Sequence, residues 1–230
     1  MPGTRARLPT LLDLGGALAP SGAARVALCS WFAVVCGVTV AVWTRSLSVV
    51  AIASSPRRIA EGQLWRLLTC AFVVQRPLVA SVLALVGLTL LTAVLCGFRL
   101  LWVTAFAGHV GSTLLAYTTL GLYRLAEPHA FQGLLSRPDY GVSAISAAWL
   151  GAVAAAGWTR RGQTLEGRAA IALVCAAIAL FAWMLRGGLT VLDSDHIFAF
   201  AVGVTLALAL PRGASRPFQR QKALVDLHRA

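Results

Sequence analysis

Residues 139–151 read DYGVSAISAAWLG, and the rest of the chain is best read outward from them. A polar lead-in ends at Tyr140, Gly141 opens an apolar run, and Ser143 sits in its first turn. The run carries no charge until Arg160 and Arg161, so Gly141–Trp158 has nearly the length and composition of a helix that crosses a bilayer. A serine is cheap in such a helix, and it gains meaning only from its surroundings.

Those surroundings are apolar throughout. The chain has 230 residues, 58% of them hydrophobic and 12% charged, where a soluble domain carries about 25% charged residues. The deficit points to a membrane protein. Of the 20 basic residues, 19 are arginine, and they stand singly or in pairs between apolar runs. No basic surface carries aromatic residues, which argues against nucleic-acid binding and for loop and headgroup positions. Cys29, Cys36, Cys70, Cys96 and Cys175 show neither metal-ligand nor disulfide-framework spacing, so they read as small packing residues and no metal site is expected. Residues 1–25 lack a sustained apolar core, so no cleavable signal is expected.

Six spans are predicted: Val26–Thr44, a second running to Cys96, Leu100–Gly121, Gly141–Trp158, Arg168–Leu185 and Leu192–Leu210. Leu67–Phe72 reads as the entry to the second span, interrupted at Gln75–Arg76–Pro77, and Gly97–Phe98–Arg99 as a tight turn. The division is a cytoplasmic segment 1–25, an all-α membrane domain 26–210, and a basic cytoplasmic tail 211–230. With both termini inside, 12 basic residues fall on the cytoplasmic side and 8 outside, as the positive-inside rule favours. The Arg- and Ala-rich usage suggests a bacterial plasma membrane.

Ionisable residues inside a bilayer are costly and mark functional hypotheses. Here they are His109, Asp193, Asp195 and His196. Ser143 lies 17 residues before Arg160 and His196 lies 16 before Arg212, which places both about 25 Å above the inner boundary at 1.5 Å per residue. His109, ten residues after Arg99, sits about 15 Å up, a layer deeper. Ser143, Ala147, Gly151 and Ala155 form a small-residue stripe at spacing four, and Ala199, Gly203 and Ala207 form another. Such stripes let helix backbones approach closely. A serine and a histidine at one level on two packed helices are the minimum equipment for nucleophilic catalysis. The same pattern also fits polar residues facing a wet rim. Asp193 and Asp195 read as capping residues or as partners of the imidazole, and Asp139 as a helix-entry residue.

Taken together, the residues resemble the rhomboid family of intramembrane serine proteases. Trp65–Arg66 is similar to the family's Trp-Arg entry to the second helix, and Gly141–Val142–Ser143–Ala144 to its Gly-x-Ser-Gly motif. His196, with Ala199 and Gly203 three and seven residues on, is similar to its sixth-helix histidine. The resemblance covers residues 26–210. It implies a six-transmembrane-helix bundle, Ser143 as nucleophile, His196 as base, motif support from Gly141 and Ala144, and no metal or cofactor. Substrates would be single-span membrane proteins, cut near the outer membrane surface.

One departure stands out. The family's second-helix His-x-x-x-Asn pair aligns without gaps to Val79 and Leu83, which cannot donate a side-chain hydrogen bond. His109 is the obvious intramembrane substitute by residue type, with a packing role as its other reading. Two functions therefore stay open: an endopeptidase using a Ser-His dyad, and a pseudoprotease that binds transmembrane segments as an adaptor. A small transporter using the histidines would be expected to show an internal repeat around a midplane site, and none is visible.

Overall fold

The computed structural model describes residues 22–74, 77–129, 132–159, 165–184 and 191–210. Among these the chain is helical, with no strand beyond one isolated bridge between Ser54 and Asp139. The long helices are α1 (Gly22–Trp43), α2 (Leu78–Cys96), α3 (Phe98–Ala126), α4 (Ser143–Thr159), α5 (Leu165–Met184) and α6 (Val191–Ala209). By length and composition α1, α2 and α3 are long and apolar enough to cross a membrane. The tail 211–230 and residues 1–21 of the N-terminal segment lie outside the described residues, as do Arg160, Arg161, Arg186 and Arg212.

Proline and glycine set the α2 boundaries. Pro77, with φ −77° and ψ 126°, is extended and cannot continue a preceding helix. At the other end Gly97 takes φ 85°, a left-handed conformation that glycine adopts without a Cβ clash. Its N–H closes α2 onto the Ala93 carbonyl and its carbonyl accepts from Leu101, so α3 starts at once. This is the tight turn expected from Gly97–Phe98–Arg99.

The long connection from α1 to α2 differs from the expectation. Arg66–Thr69 and Cys70–Phe72 do not lead into the second helix; they form separate α and 3-10 turns, followed by extended Val73. The turn dips into the bundle, where Cys70, Ala71, Val73 and Val74 are buried. Thr39 of α1 ties it down: its hydroxyl donates to the Phe72 carbonyl (3.4 Å) and accepts from the Val74 N–H (3.0 Å).

At the centre stands α4, buried from Ala144 to Gly157 except for half-buried Ser146, Ala147, Leu150 and Ala154. An all-round apolar sequence is what such a position requires. Trp149 is fully buried, and its indole N–H donates to the Leu101 carbonyl at 2.9 Å, so no polar atom of the ring is stranded. It also meets Trp31 edge-on at 5.7 Å, joining α1 to the same core as Leu85, Leu101 and Ile145.

The tightest packing is between α4 and α6. A Cβ built on Gly203 would fall 1.9 Å from the Ala148 carbonyl oxygen, and one on Gly151 would fall 2.1 Å from that of Phe200. The small-residue stripes therefore do meet, with one adjustment. Ala144 and Ala148 are the buried partners of Ala199, with Ala147 only partly buried beside them, because a count of four outruns the 3.6-residue turn and drifts toward the edge of the contact face. Gly108 of α3 makes a third close approach, its absent Cβ lying 2.2 Å from the Ala148 Cβ.

Candidate functional site

Ser143 is the first residue of α4 and is half-buried. The four residues before it are clamped. Asp139 and Ser54 exchange both backbone hydrogen bonds at 2.9 Å, Gly141 N–H donates to the Cys70 carbonyl (2.8 Å), and Val142 N–H donates to that of Val73 (3.1 Å). Gly141 does this at φ 129°, a conformation that L side chains rarely adopt. Its contribution is thus to the path of the chain, since its N–H is engaged elsewhere. The carbonyl of Val142 then accepts from both the N–H and the hydroxyl of Ser146, which closes the first turn. At a helix start the next N–H groups, those of residues 143–145, have no acceptor within the helix. Ala144 is buried in the contact with Ala148 and Ala199.

The clamp is itself anchored by Arg66, the arginine of the Trp-Arg pair. Its guanidinium donates to the carbonyls of Val50 (3.0 Å), Ala51 (2.6 Å) and Ala53 (2.9 Å) and to the Gln63 amide oxygen (2.5 Å). Trp65 beside it is exposed. The three carbonyls lie immediately before Ser54, so Arg66 fixes the segment that pairs with Asp139.

His196 lies on the outer part of α6. The α4–α6 contact gives its level relative to Ser143. Ala148 meets Gly203 and Gly151 meets Phe200 and Val204, while Ala155 packs near Ala207, so the helices run in parallel. Five residues before Ala148 is Ser143, and five before Gly203 is residue 198. Eight before Gly151 is also Ser143, and eight before Phe200 and Val204 are residues 192 and 196. Ser143 thus stands opposite the 192–198 turn, which includes His196. The imidazole also lines a groove of about 360 Å³ with Ala147, Leu150, Ala177, Ile178, Ile197 and Phe200.

The remaining sequence candidates separate. Asp193 stays in the first turn of α6, where an acidic residue complements the helix dipole. Asp195 does not cap the helix: it is 4% exposed and turned toward the Ser112 and Thr113 hydroxyls of α3. His109 is 5% exposed and lies in a π turn, Ala107–Gly111, that interrupts α3. Its Nε2 is 3.3 Å from the Cys70 sulfur, and its Nδ1 is buried without a hydrogen bond. His109 therefore supports the dipping turn from below. The depth estimate for α3 held no place for that contact because the turn comes down to meet the ring.

Val79 and Leu83 are 71% and 67% exposed, facing away from the core. The gapless alignment to the family pair therefore does not bring either position to the site. The break at Cys70–Pro77 resets the register of α2 relative to Trp65–Arg66.

Sequence reasoning missed a buried polar chain through Ser54, Tyr117 and Asp139. Ser54 Oγ is 2.7 Å from the Tyr117 hydroxyl, which donates to Asp139 Oδ2 at 3.1 Å. Tyr117 lies two turns beyond His109 in α3, and that spacing was the one local signal. Burial raises the pKa of the Asp139 carboxyl above the ordinary carboxylate value, opposed by the Tyr117 hydrogen bond and by the charge of His196. Burial also pushes the Cys70 thiol up to about 12; the Asp139 and Asp195 charges add to this and a hydrogen bond from Ser54 opposes it. Cys70 is a buried packing group whose sulfur also lies within hydrogen-bonding distance of His109 Nε2. Among the described residues no cluster of His, Cys, Asp and Glu is able to hold a metal ion. Comparisons with protein families, curated proteins and solved structures find no match for this chain.

Proposed function

We propose that this chain is a rhomboid-like intramembrane serine endopeptidase with six membrane spans, cutting single-span membrane proteins near the outer surface of a bacterial plasma membrane. Both termini are cytoplasmic in this reading. The observation that carries it is the α4–α6 contact, with glycine at both closest points and Ser143 and His196 on one level. A clamped loop immediately before a helix-start serine adds support, because it holds the hydroxyl on rigid backbone.

In this mechanism His196 takes the Ser143 hydroxyl proton as Oγ attacks the scissile carbonyl, and the C–N bond breaks as the imidazolium returns that proton to the leaving amine. Water, deprotonated by the same imidazole, then releases the acyl group. The N–H groups opening α4 face the developing oxyanion, in the direction favoured by the helix dipole. The groove beside His196 would receive an apolar substrate side chain.

A second reading, a catalytically inactive adaptor that binds transmembrane segments, draws on one observation: Val79 and Leu83 face outward, so neither position supplies an oxyanion donor. Covalent labelling by a serine-reactive fluorophosphonate separates the two. The protease reading expects labelling of the wild type that is lost in Ser143→Ala and in His196→Ala. If the wild type and Ser143→Ala give the same signal, the protease reading falls and the adaptor reading stands.

A further inference from the structure

We infer that the C-terminal end of α3 carries a phospholipid-binding site, in which Arg124 and Arg57 hold the phosphate of an anionic glycerophospholipid and an apolar groove takes the first carbons of its acyl chains. Neither Ser143 nor His196 takes part in it.

Three elements build the site. Leu114, Thr118, Gly121 and Arg124 of α3 line it at spacings of four and three residues, which puts them on one face of the helix. Arg57 and Ile59 of the short helix Pro56–Ala60 line it from the α1–α2 connection, and Leu135 from the short helix Gln132–Leu135. The groove among them has a volume of about 570 Å³. A Cβ built on Gly121 meets no atom within 4 Å, so this glycine leaves the α3 side of the groove open.

Both arginines keep donors in reserve. Arg124 is half-buried; its Nη2 donates to the Pro128 carbonyl at 3.1 Å, while its Nε is buried with no hydrogen-bond partner. A buried charged donor without an acceptor is costly, and a phosphate oxygen relieves it. Arg57 commits its Nε to Glu61 Oε1 at 2.9 Å, and Glu61 Oε2 accepts from the Gln63 amide at 3.3 Å. Both oxygens of Glu61 are thus occupied, and the two Nη groups of Arg57 remain for a second phosphate oxygen. Two arginines and one glutamate leave the lining with one net positive charge. That complements a phosphodiester under an uncharged headgroup better than a zwitterionic one.

The position along α3 selects a lipid over a soluble anion. The helix has 29 residues and is apolar enough to cross a membrane, and at 1.5 Å per residue it measures about 43 Å, the thickness of a bilayer with its headgroups. Arg124 lies in its last turn, at the level of the phosphates. Leu114 lies ten residues earlier, about 15 Å nearer the hydrocarbon, and it is exposed together with its neighbour Leu115. The groove therefore passes from charged to apolar along the direction in which a phospholipid does. A free phosphate would meet the arginines and leave the part lined by Leu114, Ile59 and Leu135 unfilled.

The test is native mass spectrometry of the full-length protein in a non-ionic detergent, titrated with phosphatidylglycerol or with phosphatidylcholine. The wild type is expected to hold phosphatidylglycerol about tenfold more tightly than phosphatidylcholine, and inorganic phosphate is expected not to displace it. Arg124→Gln and Arg57→Gln are each expected to weaken phosphatidylglycerol binding by about tenfold, the scale of one charge-assisted hydrogen bond. Gly121→Leu keeps both arginines and fills the groove; it is expected to abolish the preference and leave the melting temperature unchanged. Arg99→Gln, at the opposite end of α3, is expected to bind as the wild type does. Equal phosphatidylglycerol binding by the wild type and the folded groove variants overturns the proposal, as does equal retention of the two lipids. A loss in Arg99→Gln as large as that in Arg124→Gln overturns it too, because the effect is then one of surface charge alone. Displacement by inorganic phosphate replaces the lipid with a soluble anion. If Arg124→Gln does not fold, Arg57→Gln and Gly121→Leu decide. Lipid binding and fluorophosphonate labelling are read separately, so the failure of either leaves the other standing.

Discussion

Gly203→Ala is the sharpest perturbation of the α4–α6 contact. The added Cβ would lie 1.9 Å from the Ala148 carbonyl oxygen, 2.8 Å from its carbon and 3.0 Å from its Cα. These are backbone atoms of a fully buried residue, so no side chain is able to swing aside. A relaxed carbon–oxygen approach is about 3.3 Å, which requires α6 to retreat by about 1.4 Å. Overpacking of this kind costs about 1–3 kcal/mol, with the upper end expected against backbone. At roughly 2–4 °C per kcal/mol for a chain of this size, that lowers the melting temperature by about 6–12 °C. On the proposed protease reading the same retreat would also move His196 relative to Ser143, and a misplacement of about 1 Å costs on the order of 10²-fold in rate. Thermal unfolding in detergent and the second-order rate of fluorophosphonate labelling measure the two effects. Gly87→Ala is the control: a Cβ there meets nothing within 4 Å, so the substitution is expected to be neutral or to stabilise by about 0.5–1 kcal/mol. If Gly203→Ala melts with the wild type and labels at its rate, the helices do not touch at Ala148 and the level argument for Ser143 and His196 fails with them.

Two further outcomes follow from burial and charge. Val79→Ala and Leu83→Ala face outward and are expected to leave melting temperature and labelling rate close to wild type. Leu85→Ala, at a residue 1% exposed in the main core, is expected to cost about 2–5 kcal/mol; equal effects at Leu83 and Leu85 would mean that α2 is rotated. Because the folded pKa of Asp139 is raised, the folded state holds its proton over a window where the unfolded state has lost it. Stability therefore falls as pH rises from the ordinary carboxylate range through the raised value, and Asp139→Asn removes that slope. A wild-type minus Asp139→Asn difference in melting temperature that is flat between acid and mildly alkaline pH would refute this sign.

The apolar runs made the helices legible because a bilayer-facing chain must satisfy its backbone within each helix, which forces long uninterrupted segments. Pro77 and Gly97 likewise announced the bounds of α2 through their own backbone limits. The expected level of Ser143 and His196 was counted from Arg160 and Arg212, which lie outside the described residues, whereas the α4–α6 contact by itself sets Ser143 opposite the 192–198 turn. The dipping turn was not readable. Its shape depends on Arg66 gathering three carbonyls and on Ser54 meeting Asp139, contacts between residues 13 to 85 positions apart with no shared period. That one hidden feature decides three placements that the sequence does not show. It resets the register that put Val79 and Leu83 at the site, it brings Cys70 down to His109, and it turns Asp139 from a helix-entry residue into part of a clamp.

The same turn sharpens the question of oxyanion support. The inward face of the outer half of α2 carries Leu78, Val82 and Leu85, which pack into the core with Val74 and Trp149. Ser81 lies on that face and is half-buried, whereas the buried hydroxyls of Thr89 and Thr92 sit about 16–21 Å farther down the helix from Leu78 at 1.5 Å per residue. Ser81 is thus the polar side chain that the first two turns of α2 carry on that face, and it offers a hydroxyl, not an imidazole or an amide. Gly141 and Val142 have already committed their N–H groups to Cys70 and Val73, so the backbone share falls to the first N–H groups of α4. Loss of one donor costs about 10²–10³ in rate and leaves the contributions of the remaining donors and of the base. On the proposed protease reading, charge stabilisation would therefore come mainly from the start of α4, because the dipping turn already engages the N–H groups of Gly141 and Val142.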